Sequence, residues 1–170
     1  MGTRAVGQWE FSGTDNPMGT MRRMIALIRK DATTVDAITA ANSIVMTADG
    51  HNEYAMANEI KEWAQNHLHY IPDLNEMQVL KSPLFLLHEA QTKGVFIGNC
   101  ADAAMLCAML CICDGIPCSI EARAFIKPNA PYQHVVCVTD LGRPPEVDFD
   151  ITRPIGSPDV VVSRRYRMKV

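Results

Sequence analysis

Gly98-Asn99-Cys100-Ala101-Asp102-Ala103-Ala104-Met105-Leu106 is the stretch around which the chain is arranged. Gly98 permits a sharp change of direction. Asn99 is a strong helix N-cap, its side chain accepting an N–H two or three residues on. From Ala101 to Ile112 every residue except Asp102 is Ala, Met, Leu, Ile or Cys. A helix apolar nearly all round belongs in a core. Its N-terminus carries partial positive charge and unpaired N–H groups. Such an end biases a thiol toward thiolate and can hold an oxyanion. Cys100 is therefore a candidate nucleophile, which requires a base and an orienter from elsewhere in the chain.

Downstream, Asp114-Gly115 with Pro117 beyond stops the helix. The hydrophobic period then becomes two. Residues 118–125 alternate, predicting a half-buried strand. A Pro/Asn loop over 127–131 leads to a second strand over 133–138, with His134 near its start. Asp140-Leu141-Gly142-Arg143 predicts a hairpin turn, and 146–150 the returning strand. That hairpin brings Asp148 and Asp150, on one face, back beside His134. A carboxylate beside an imidazole fixes its tautomer and keeps it basic. With the sheet packed on the start of the Cys100 helix, nucleophile, base and orienter follow in the order Cys, His, Asp.

Upstream, the pattern is helical. Asn16-Pro17 opens a helix with Met21, Met24, Ile25 and Ile28 on one face. A second helix is expected over 33–47, with Val35, Ile38 and Val45 marking its apolar side. Asp49-Gly50 is a break. A third runs over 53–69, with Met56, Ile60, Trp63, His67 and Tyr70 in helical period, ended by Ile71-Pro72-Asp73. Ser82-Pro83 opens a short helix that Gly94 closes. His67 and His69, two apart, do not face each other on a helix and are read as surface residues. His88 is read as structural. Helices first and an antiparallel sheet after them define an α+β fold.

Composition narrows the partners. The 170 residues are 48% hydrophobic and 21% charged, with net charge −3, enough for one domain with its own core. The acidic balance gives no reason to expect nucleic acid. No apolar run reaches the roughly 18 residues of a membrane span, and no signal-peptide pattern opens the chain, so a cytoplasmic protein is expected. Residues 1–17, with Trp9 and Phe11, are read as an arm without regular structure whose aromatics pack on the body. Residues 18–160 form the domain. Residues 161–170, with Arg164, Arg165, Arg167 and Lys169, form a basic, solvated tail. The six cysteines are read as free thiols. Cys100, Cys107 and Cys111 share a helix face, yet there is neither a second CxxC nor a histidine pair, so no metal or other cofactor is expected.

These elements resemble the transglutaminase-like superfamily of papain-type cysteine enzymes, and within it the phage- and prophage-associated branch. Gly19 to Met24 resembles that branch's N-terminal helix start. Tyr70-Ile71-Pro72-Asp73 and Leu80-Lys81-Ser82-Pro83 resemble the segment ahead of its nucleophile. Gly98 to Asp102 is similar to its Gly-Asp-Cys-Asp-Asp box, with Asn99 and Ala101 in place of two acids. The segment 110–117 resembles its helix end. His134-Val135-Val136 resembles its His strand, and Asp150-Ile151-Thr152 its Asp-Pro-Thr.

The resemblance implies Cys100 as nucleophile, His134 as base and Asp150 as orienter, with Asp148 the alternative acid. It implies acyl transfer on a peptide, isopeptide or glutamine amide, with hydrolysis the simpler outcome. The oxyanion would be held by the Cys100 N–H and a second donor, for which Gln91 is the candidate and Gln78 another. A protein or peptide is then the substrate. A different class of reading keeps the fold as a docking scaffold in a phage particle, with other phage structural proteins as partners. A thiol-rich zinc or redox protein is the least favoured.

Overall fold

The structure is a computed structural model. It describes residues 8–12, 17–48, 52–72, 77–125, 132, 134–142, 146–152 and 162–170, and leaves aside the side chains of 8–12, 17, 77, 78 and 164. In chain order the elements are β1 (Gln8–Ser12), α1 (Pro17–Asp31), α2 (Val35–Ile44) with a 3-10 turn Val45–Thr47, α3 (Glu53–His67), β2 (Leu68–Tyr70) and β3 (Met77–Lys81). Then follow α4 (Pro83–Lys93), β4 (Phe96–Gly98), α5 (Cys100–Cys113), β5 (Cys118–Phe125), β6 (His134–Thr139) and β7 (Val162–Lys169). Among the described residues no helix is long and apolar enough to cross a membrane.

Helix α5 is the axis of this α+β arrangement. Residues 101–111 are buried without exception. Helices α1 to α4 pack against it, as do β5 and β6. The neighbours approach closely because their facing residues are small. Helix α2 buries Ala37, Ala40 and Ala41, and α3 buries Ala57, Ile60 and Ala64. This corrects the apolar side assigned to α2. Val35 is 77% exposed and Ile38 40%, because the helix turns its alanine stripe, not its larger aliphatics, against α5. Helix α1 buries Met21, Met24, Ile25 and Ile28 as its period predicts. Capping follows the residue chemistry. Thr34 and Ser82 accept N–H groups of Ala37 and Phe85. Gly94, at φ +75°, closes α4 in the left-handed conformation that glycine adopts without strain.

The main sheet has the order β6-β5-β7, antiparallel throughout. Strand β7 corrects the expectation of a solvated tail. Its residues pair with β5 from Ser119↔Lys169 to Phe125↔Val162, since an unpaired β5 edge would leave buried N–H and C=O groups unsatisfied. Residues 146–150 form a looser return than a full strand. The Thr139 N–H donates to the Val147 carbonyl at 3.1 Å, the Phe149 N–H to that of Cys137 at 2.9 Å, and Val138 bridges Asp148.

Two smaller ribbons were not expected. Strand β1 pairs antiparallel with β3, from Gln8↔Lys81 to Ser12↔Met77, so the arm carries regular structure. Strand β2 pairs parallel with β4, which ends α3 at His67 rather than at His69. A three-residue strand has no period to read, and its tertiary partner overrides the helical pattern. The break at Asp49-Gly50, the 127–131 loop, Asp73, Gln133, Arg143 and the side chains of Trp9 and Phe11 lie outside the described residues.

Candidate active site

The start of α5 is held by a closed set of hydrogen bonds. The Asp102 N–H donates to Asn99 Oδ1 at 3.0 Å, and the Asn99 N–H donates to Asp102 Oδ2 at 3.3 Å. This is a reciprocal capping box. Asp102 Oδ1 also accepts the Lys81 N–H at 3.0 Å, which ties β3 to the helix. The buried carboxylate of Asp102 thus has structural work to do. It also explains Gly98 differently from a sharp turn. A Cβ at Gly98 would lie 2.8 Å from the Asp102 Cβ, so glycine is needed for close approach. Cys100 is the first residue of α5, partly exposed and unbridged.

His134 begins β6, and its Nε2 lies 2.9 Å from Asp150 Oδ1. The ring is mostly buried, as is the carboxylate, their side chains being 11% and 12% exposed. The Thr152 hydroxyl donates to the same Asp150 oxygen at 2.9 Å. Strand β6 packs against α5, whose first residue is Cys100. Burial alone would pull the ring down, but the hydrogen bonds of Asp150 and Cys100 and their negative charges outweigh it, pushing His134 up to about 9. Asp150 is shifted the other way. Burial pushes it up, and the hydrogen bond and charge of His134, with help from Thr152 and the Arg123 charge, bring it below the usual carboxylate range. The Phe125 ring lies against His134 at 5.9 Å between centroids.

Asp148 stands elsewhere. Its Oδ2 lies 2.7 Å from Arg123 Nη1, and its Oδ1 accepts the Asp150 N–H at 3.0 Å. The sequence reading missed Arg123 and Thr152. Arg123 shares a strand face with Glu121, two residues away, and that alternation of opposite charges on a buried strand was the available signal. Thr152 lay within the quoted Asp150-Ile151-Thr152 motif without an assigned role.

Other candidates lie outside this group. Gln91 is exposed and lines a groove with Asp36, Thr39, Ser43, Trp63 and His88, one that includes none of Cys100, His134 and Asp150. Gln78 sits on β3, its side chain outside the described residues. His67 stacks on Trp63, and its Nδ1 is 2.7 Å from that residue's carbonyl oxygen. His69 is on β2, and His88 lies 3.2 Å from Asp36 at the surface.

A second thiol group lies deeper. The sulfurs of Cys111, Cys118 and Cys137 are all within 4.8 Å of one another and fully buried. Each comes from a different element, α5, β5 and β6. Hydrogen bonds from Cys111 and Cys137 lower Cys118, while burial pushes Cys111 and Cys137 up. Three sulfurs are one ligand short of a closed structural zinc site, and among the described residues no fourth His, Cys, Asp or Glu joins them.

No family model and no curated protein matches the sequence. Among solved structures, the chain is similar to one described as a "Putative Cysteine Protease from Cytophaga hutchinsonii", with a TM-score of 0.57 and 20% sequence identity. The match covers 85% of this chain and 47% of that one, so the chain spans about half the length of that relative. The likeness is one of fold.

Proposed function

We propose that the chain is a cysteine-nucleophile acyl-transfer enzyme of transglutaminase-like type, hydrolysing a peptide or isopeptide amide. The observation that supports this best is the His134 Nε2–Asp150 Oδ1 pair at 2.9 Å, on the strand that packs against the helix carrying Cys100. With Nε2 committed to Asp150, Nδ1 is the ring nitrogen left for the sulfur. An imidazole held this basic keeps its proton at neutral pH and favours a thiolate beside it.

The thiolate attacks the amide carbonyl, and the tetrahedral oxyanion is stabilised by the Cys100 N–H at the first position of α5, the Asp102 N–H being taken by the Asn99 cap. His134 gives its proton to the departing amine, the C–N bond breaks, and a thioester remains on Cys100. The neutral ring then takes a proton from water, which attacks the thioester and releases the acid and the thiolate. Asp150 keeps the ring oriented and basic throughout. Asp148, occupied by Arg123, is the weaker choice for that role.

The test is to offer unlabelled peptides, isopeptide-linked peptides and glutamine-containing peptides to the protein and to trap acyl adducts by mass spectrometry. A thioester on Cys100 that vanishes in Cys100→Ser is expected. Absence of any adduct, with Cys100 alkylating no faster than free cysteine, would overturn the proposal and leave the docking-scaffold reading.

A further inference from the structure

We infer that Arg123 is a positioning residue for the His134–Asp150 pair, acting through Asp148. The inference rests on the reading of Cys100, His134 and Asp150 as one reactive group. It concerns how that group is held in place.

Arg123 and His134 are register partners on β5 and β6. The Arg123 side chain is 7% exposed and engages two carboxylates, Glu121 through Nε and Asp148 through Nη1, each at 2.7 Å. A planar guanidinium can do this at fixed angles, whereas an ammonium cannot. Asp148 in turn accepts the Asp150 N–H. The backbone that carries the His134 partner is therefore pinned by an ion pair made one face-repeat earlier. The pinning extends further. Arg167 on β7 holds Glu146 at 3.0 Å and 3.1 Å, and holds Glu121 at 2.7 Å and 2.9 Å.

Glu146, Asp148 and Asp150 alternate along the return segment, and each meets a different partner. Arg167 takes the first, Arg123 the second and His134 the third. Two arginine contacts fix the segment, so its third carboxylate arrives at the ring already aimed. Precise aim matters because an angstrom of misplacement at a reacting group costs far more rate than stability.

The groups facing the His134–Asp150 pair are Cys100 from α5, Asp148 and Thr152 from the return segment, and Arg123 from β5. Arg165 stands across Arg123 on β7. This set gives the inference a sign. A bystander cation, when removed, lets a nearby imidazole bind its proton more tightly. A positioning cation, when removed, frees Asp150 and lets the ring fall back.

The experiment is an NMR titration of the His134 ring, in protein with and without Cys100→Ser, comparing Arg123→Met, Arg167→Met and the paired Arg123→Met/Asp148→Leu. The expected result is a downward shift of His134 by about one unit or more in Arg123→Met, and a smaller one in Arg167→Met. The paired variant removes both ends of the Arg123–Asp148 contact, while the buried Glu121 keeps Arg167. It is expected to recover melting temperature without recovering the titration, which separates positioning from folding. An unchanged or raised His134 titration in a folded Arg123→Met or paired variant overturns the inference. Failure of the parent reading shows elsewhere, as an unsubstituted Cys100 that reacts like free cysteine. In that case His134 still reports on Arg123 by itself.

Discussion

Helix α5 carries thiols in two opposite settings. At its first residue, Cys100 is partly exposed, and β6, which begins with His134, packs against the helix. Eleven residues on, Cys111 joins Cys118 and Cys137 in a pocket of sulfur sealed from water. Both groups draw on β6, through His134 and through Cys137. The contrast separates two requirements that sequence alone merges. A thiol is chemically useful when it has both access and a neighbour that stabilises its anion. The inner group has mutual hydrogen bonds without access, and behaves as core.

The largest effect expected from this contrast is in alkylation. In the folded protein at neutral pH, Cys100 should react at least about 100-fold faster than Cys107, Cys111 and Cys137. Peptide mapping after a short iodoacetamide pulse measures it, and equal labelling of the inner thiols would erase the distinction. Next, His134→Ala should slow Cys100 alkylation at pH 6–7 by about 10-fold or more, with Asp150→Asn giving a smaller loss. A profile in both variants that overlays the parent would detach the ring from the sulfur.

Stability should respond to pH with a definite sign. His134 is raised, so its contribution is fully present below its ordinary value of 6.5 and is lost as pH rises through about 9. The difference is worth at most about 3 kcal/mol. Asp150 is lowered, so its contribution is present above its ordinary value of 3.8 and is lost as pH falls through its folded value. Urea midpoints across pH 3–10 should therefore decline at both ends, and a flat alkaline side would contradict the raised ring.

Gly98→Ala should cost about 1–3 kcal/mol, the range for overpacking, because the new Cβ meets Asp102 at 2.8 Å. It should also slow Cys100 alkylation, since Asp102 anchors the helix start. Thermal melts and the alkylation rate together test this. The smallest effect belongs to Cys113→Ser. That thiol is half-buried, and burial pushes it up to about 11, outside both groups. Its melting temperature and Cys100 reactivity should stay near those of the parent, within about 0.5 kcal/mol.

What was legible follows from how each signal is written. The α5 core helix stood out because its eleven consecutive buried positions are apolar but for Asp102. Strand β5 stood out because its period is two, although it is buried on both faces, and β6 as a short apolar run between a loop and a turn. Cys100, His134 and Asp150 stand out by turn chemistry and hairpin geometry, and the structure pairs His134 with Asp150. Strands β2 and β4, with three residues each, had too little length to carry a pattern. The buried face of α2 was misread because alanine is a weak hydrophobic signal but a strong packing one. The pairing of β7 with β5 was hidden by its arginines, whose partners lie far away in sequence.

The alanine stripes that line α5 have a consequence for genetics. Ala37, Ala41, Ala57 and Ala64 are fully buried, so a bulky replacement is expected to push the helix along or aside. A saturation screen for lost thiol reactivity would then collect inactivating hits on α2 and α3, at sites carrying no reactive atom, simply because the sulfur rides on the rod they displace.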